Sequence, residues 1–170
     1  MIGVRALMHG KTLSVTGMGR AIQGTAFTKH AIKRADRLIG NPALHQDRQH
    51  IYRALIQWLV GRLHRPVILV DWSDLTDDRQ FHILRASTSV GGRALTLYEE
   101  VHPVKKLNTT PVQTRFLATL HALLPATCQP IIVTDAGFHV PWFNAVIQQG
   151  WHFVGRVSGH TMIRPTGTDD

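Results

Sequence analysis

The sequence predicts an α/β protein: a mixed β-sheet with the element order β-β-β-α-β-α-β, preceded by a small basic helical region. Three observations carry this. Two apolar runs, "PVILVDW" at 66–72 and "PIIVTDAG" at 130–137, are continuous rather than alternating, the pattern of central strands buried on both faces. Two further β-rich segments flank Gly91-Gly92, a strong hairpin signal. Residues 1–65 combine helical periodicity with 11 Lys/Arg against two acids, a net charge of +9, whereas residues 66–170 hold eight against nine.

The helical region comes first. "LSVTGMGRAIQGTAF" (13–27) suits a short helix and a turn. "TKHAIKRADRLIGN" (28–41) places Ile32, Ala35, Leu38 and Ile39 on one face at i, i+3, i+4 spacing and leaves Lys29, His30, Lys33, Arg34 and Arg37 on the rest of the surface. Thr28 is expected to cap its start, and Gly40-Asn41 to stop it. A second helix is expected over 43–60, with Ile51, Leu55, Trp58 and Leu59 facing a core.

From residue 66 the pattern changes to strands. After 66–72, "FHILRASTSV" (81–90) and "RALTLYEEVH" (93–102) form the hairpin. Thr109-Thr110-Pro111 opens a helix through about Leu124, with Val112, Phe116, Leu120 and Leu123 as its apolar stripe and Pro125 as its stop. A strand at 130–135, a helix at 141–149 closed by Gly150, and a fifth strand at 152–157 complete the order. An antiparallel meander after the first strand argues against a doubly wound nucleotide-binding fold, which would place a helix there. The order is similar to that of the ribonuclease H-like fold, in which the first and fourth strands are parallel neighbours in mid-sheet. The expected organisation is therefore a basic helical region at 1–62, compatible with a DNA-binding module, a sheet-bearing core at 63–160 and a tail at 161–170.

Several function classes drop out. No apolar run reaches the roughly 20 residues a bilayer requires, and the start lacks the apolar stretch of a signal peptide. Cys128 is alone, so no internal disulfide is possible, and a cytosolic setting is expected. The 11 histidines form neither an HExxH motif nor a Cys/His cluster, which argues against zinc. Cys128, Trp72, Trp142 and Trp151 read as core. Asp74 is near enough to Asp71 to be a further ligand, but reads rather as a loop acid bound to turn backbone, and Asp77 and Asp78 as solvated turn residues. A nucleophilic aspartate of a phosphotransferase in "DWSD" lacks the usual spacing of paired acids.

Asp71 and Asp135 remain. Each follows a proline, Pro66 or Pro130, by five residues. If the two strands are parallel neighbours about 4.8 Å apart, both carboxylates emerge at the same sheet end. Like charges that close are costly unless a cation lies between them, and hard oxygen ligands favour Mg²⁺ or Mn²⁺. Such ions can activate an attacking oxygen and stabilise a leaving oxygen in phosphodiester chemistry. The alternative is that each aspartate only begins a turn. For Lys29, His30, Lys33, Arg34 and Arg37 the choice is between phosphate contact and a solvated helix face.

The wording of these segments carries a resemblance. "TKHAIKRADRLIGN", "VILVDWSD", "LRASTSVGGRALTLYEE" and "IIVTDAGFHVPWFNAVIQQGWHFVGRV", in this order over roughly 11–160, resemble the bacterial cut-and-paste DDE transposases of the insertion sequence four family. The resemblance implies that Asp71 and Asp135 are the first two acids of the metal-binding triad. It also implies that the basic helices bind double-stranded DNA at transposon ends, and that a homodimer pairs two ends in the bacterial nucleoid. Metal-dependent hydrolysis and strand transfer would be the activity. The family's third acid, a glutamate in a Tyr-Arg-Glu-Lys signature after the fifth strand, has no counterpart: Glu99 and Glu100 are the only glutamates, both in the third strand. A truncated product is therefore expected, with an end-binding, non-cutting protein as the alternative.

Overall fold

The computed structural model describes residues 14–157. The chain divides into two compact units, Met1–His50 and Ile51–Asp170.

In the first unit, helix α1 (Val15–Ala21) starts at Ser14, whose hydroxyl accepts from the Gly17 amide at 3.0 Å. Helix α2 (Thr28–Ile39) packs on it through Gly19. A Cβ there would lie 2.4 Å from Ile32 Cα, so only glycine permits this approach. The buried stripe of α2 is Ala31 and Ala35, with Ile32 half-buried, while the expected core residues Leu38 and Ile39 are exposed. Small side chains suit so close a helix pair. Thr28 is not the cap: it lies inside the first turn, and the amides of His30 and Ala31 return to the Phe27 carbonyl. Asn41 caps the next element, α3 (Pro42–Gln46), by accepting from Ala43 N at 3.0 Å. The single helix expected over 43–60 is thus two, broken at Asp47 before α4 (Arg48–Val60).

Most of α4 belongs to the second unit, where Ile56 and Val60 are buried and Tyr52 and Leu59 pack against the core. That packing is why the division falls at 50/51, ahead of the expected 62/63. The inward face is rotated from the expected one, leaving Ile51 exposed and Trp58 79% exposed.

Strands β1 (Val67–Asp74), β2 (Phe81–Val90) and β3 (Arg93–Pro103) form the meander, and β4 (Ile131–Thr134) and β5 (His152–Gly155) complete a five-stranded mixed sheet of order β3-β2-β1-β4-β5. The β1–β4 and β4–β5 pairs are parallel, the other two antiparallel. Gly91 and Gly92 both adopt positive φ, +57° and +76°, as a tight primed hairpin turn requires. Between strands β3 and β4, α5 (Thr110–Leu123) buries all four residues of its expected stripe, and α6 (Val140–Gln148) buries Trp142 and Val146.

In the second unit α4, α5 and α6 pack against one sheet face, where Ile68, Val70, Leu84, Ala86 and Ile132 join a single core. Strand β1 therefore alternates instead of being buried on both sides: Val67 and Leu69 are 48% and 40% exposed. A continuous apolar run does not by itself require two covered faces. A bulge interrupts the hairpin: Ala86 opposes Tyr98 and Ser87 opposes Thr96, leaving Leu97 as the extra, fully buried residue. No helix among the described residues is long and apolar enough to cross a membrane. Asp169 and Asp170, in the expected tail, lie outside the described residues.

Candidate active site

The β1–β4 register pairs Val67 with Ile131, Ile68 with Ile132 and Leu69 with Val133. Continued by two residues, it sets Asp71 level with Asp135 on the same sheet face. Asp135 follows the last residue of β4, whereas Asp71, expected at a strand end, lies within β1, which runs three residues further to Asp74 because Trp72, Ser73 and Asp74 still pair with β2. Asp71 senses this proximity. Partial burial, and next the Asp135 charge, push its carboxyl above the usual carboxylate range, against smaller opposing effects of the Trp72 amide, the Ser73 hydroxyl and Arg85. The Ser73 hydroxyl is only a distant donor, 3.5 Å from Asp71 Oδ2.

Asp135 also does what the turn-forming alternative expects. Its Oδ1 accepts from Gly137 N at 2.9 Å, the only hydrogen bond made by this carboxylate among the described residues. The turn fixes the carboxylate's orientation and leaves Oδ2 open.

Antiparallel pairing extends the row. Asp71 opposes Arg85, which opposes Glu99, so Glu99, Arg85, Asp71 and Asp135 run across β3, β2, β1 and the end of β4 on one face. Arg85 Nε meets Glu99 Oε2 at 2.9 Å. Sequence reasoning missed both residues. The Gly91-Gly92 turn was the available signal, but counting back from it without the bulge pairs Arg85 with Tyr98. Beyond Asp135, a shallow recess at the end of β4 is lined by Ala136, Phe138, His139, Val140, Phe143, Arg156 and Val157.

No match was found. No family model, curated protein or solved structure matches the chain.

Among the described residues, no group of three or more His, Cys, Asp or Glu side chains converges as a metal site. Asp74, expected to bind turn backbone, instead pairs with Arg79 Nε at 3.0 Å and His82 Nδ1 at 3.1 Å. The turn's acid is Asp78, which accepts from the Thr76 hydroxyl at 2.6 Å and the Gln80 amide at 3.0 Å. On the core face Glu100 accepts from Tyr98 Oη at 2.6 Å, His102 Nε2 at 2.8 Å and Arg115 Nη2 at 3.1 Å. Burial alone would raise its carboxyl, but the Tyr98, Arg115 and His102 contacts together hold it below the usual range. Cys128 is buried, and burial pushes its thiol up, as expected of a packing residue.

In the first unit, Lys29, His30, Lys33, Arg34 and Arg37 are all exposed on α2. Lys29, Lys33 and Arg37 follow at i+4 spacing, with His30 and Arg34 beside them. Among the described residues, none of the five has an ion-pair partner.

Proposed function

We propose that this chain binds double-stranded DNA through α2 and carries two acids of a divalent-metal phosphodiester site, as a ribonuclease H-like transposase. One observation carries the reading: an aspartate within β1 and an aspartate just past the end of the adjacent parallel β4, level with each other on one sheet face, where they repel. The strand order, with β1 and β4 central and parallel, supports the ribonuclease H-like class.

The residues fit a hard cation. Both are carboxylates, both are exposed, and their mutual repulsion is a cost that a divalent ion between them removes. Bound Mg²⁺ or Mn²⁺ would supply the charge that activates an attacking oxygen and stabilises a leaving oxygen of a phosphodiester. Asp71 and Asp135 would hold the ion, and the Gly137 amide keeps Asp135 aimed. The unpaired basic face of α2 would hold the duplex by its phosphates, with a second copy engaging a second DNA end.

A second reading follows from the carboxylate count. The chain offers two acids where the resembled family offers three, and Glu99 lies two strands from Asp71 with its carboxylate held by Arg85. A protein that holds DNA without cutting it fits that arrangement.

The two readings separate in one experiment. Supercoiled and linear DNA are incubated with the protein in Mg²⁺ or Mn²⁺, alongside Asp71→Asn and Asp135→Asn. Nicking that both substitutions abolish supports the enzyme. Binding without cleavage in any divalent metal supports the DNA-holding protein. Absence of DNA binding sinks both.

A further inference from the structure

We propose that Arg85 is a phosphate-binding residue: Glu99 aims its guanidinium so that the outer nitrogens take a backbone phosphate of the DNA strand lying over Asp71 and Asp135. This rests on the reading of those aspartates as a metal site on DNA, and gives that site its phosphate contact.

Position comes first. Arg85 stands directly across from Asp71 and in one row with Asp135, so a phosphate over the aspartate pair lies within reach of a guanidinium. Orientation comes second. Although Asp71 is its direct cross-strand neighbour, the hydrogen bond Arg85 makes is to Glu99, through Nε. Its two terminal nitrogens have no hydrogen-bond partner among the described residues, and the side chain is 41% exposed. A guanidinium held by one edge and open at the other two nitrogens is prepared for bidentate binding of a phosphate.

Charge comes third. The row holds three carboxylates and one cation, so Arg85 is the one side chain in it that can attract a phosphate. Glu99 also keeps Arg85 off Asp71. Released, the guanidinium would be free to turn to Asp71, its other cross-strand neighbour, and compete there with a metal ion. Glu99 is thus a positioning residue, acting through Arg85.

These roles predict opposite signs for two measurable affinities. Duplex binding is followed by fluorescence anisotropy in Ca²⁺ and in EDTA over a salt series, and Mn²⁺ binding without DNA by electron paramagnetic resonance. Wild type, Arg85→Ala, Arg85→Lys, Glu99→Gln and the Asp71→Asn/Asp135→Asn double variant are compared, with thermal unfolding as the folding control. In wild type Ca²⁺ tightens duplex binding, and the double variant loses that increment. Arg85→Ala loses about tenfold in duplex affinity in Ca²⁺, and the salt slope falls by about 0.9, one phosphate contact. Its Mn²⁺ affinity holds or rises, because a cation has left the site. Arg85→Lys recovers part of the loss, having the charge without the fork. Glu99→Gln weakens Mn²⁺ binding.

If Arg85→Ala and Arg85→Lys both match wild type on DNA while the double variant loses its increment, the proposal is overturned and the metal site stands. Equal losses of Mn²⁺ and DNA binding in Arg85→Ala also overturn it, since the residue would then only maintain the fold. No Ca²⁺ increment in wild type removes the metal-site reading and this proposal together.

Discussion

Asp71 carries its charge at a cost that the Trp72 amide, the Ser73 hydroxyl and Arg85 offset only in part. Its carboxyl is raised above the ordinary 3.8 by burial and by Asp135, so the ionised form disfavours the fold. The associated stability is full below the unfolded value and lost as pH rises through the folded one. Asp71→Asn is therefore expected to raise the melting temperature near neutral pH and to leave it unchanged near about pH 3. Added Mg²⁺ or Mn²⁺ should raise the melting temperature of wild type but not of the Asp71→Asn/Asp135→Asn protein. Calorimetry across pH with and without metal checks both, and a cation effect that survives the double substitution would place the ion elsewhere. Glu100 has the opposite sign. Its carboxyl is held below the ordinary 4.5, so its contribution is present above that value and lost as pH falls through the folded one. Glu100→Gln should cost about 2–3 kcal/mol near neutral pH, read by urea unfolding, with the difference shrinking in acid.

At the scale of elements, the close α1–α2 pair and the bulged hairpin decide most. Gly19→Ala forces a methyl into the Ile32 backbone, an overpacking that costs about 1–3 kcal/mol in a unit with few buried side chains among its described residues. The expected result is loss of duplex binding with the sheet unit intact. All four tryptophans, Trp58, Trp72, Trp142 and Trp151, lie in the second unit, so their fluorescence transition reports on that unit alone. A Gly19→Ala protein with unchanged DNA affinity would show that the helix pair tolerates the shift. The bulge at Leu97 acts through periodicity. Adding one residue to β3 reverses which later side chains face the core, putting Glu100 inward and Glu99 beside Arg85.

For the whole molecule, charge is the dominant asymmetry. A +9 region ahead of a −1 region is the distribution that the proposed DNA binding requires of one part of the chain. Four permanent cations on α2 predict a log-affinity that falls with log salt at a slope of about −3 to −4 in EDTA. Lys33→Ala should weaken binding uniformly across DNA sequences and reduce that slope by about 0.9. A slope near zero would make the basic face a solvated surface and remove DNA from the proposed function.

The elements were legible because their causes are local. Glycine pairs turn hairpins, prolines start helices, and the Val112–Phe116–Leu120–Leu123 spacing creates its own stripe. The basic face of α2 was equally readable, since charges at i+4 need no tertiary partner to share a side. Local pattern misled where an apolar residue had a choice of neighbours: Trp58 fits an inward stripe by spacing, yet the packed face of α4 is Ile56 and Val60. The two aspartates were visible as carboxylates closing apolar runs, but their standing level depended on β1 and β4 being adjacent, parallel and in a register set by residues 67–69 and 131–133, and pairing with β2 carries β1 past Asp71 to Asp74. Arg85 and Glu99 were hidden altogether. Their pairing depends on one bulged leucine, and strand register is a long-range property that single-chain periodicity does not contain. The sequence alone determined the types and order of the elements and the charge each carries; the tertiary structure decided which charges share a face, because sheet pairing joins residues that are remote along the chain.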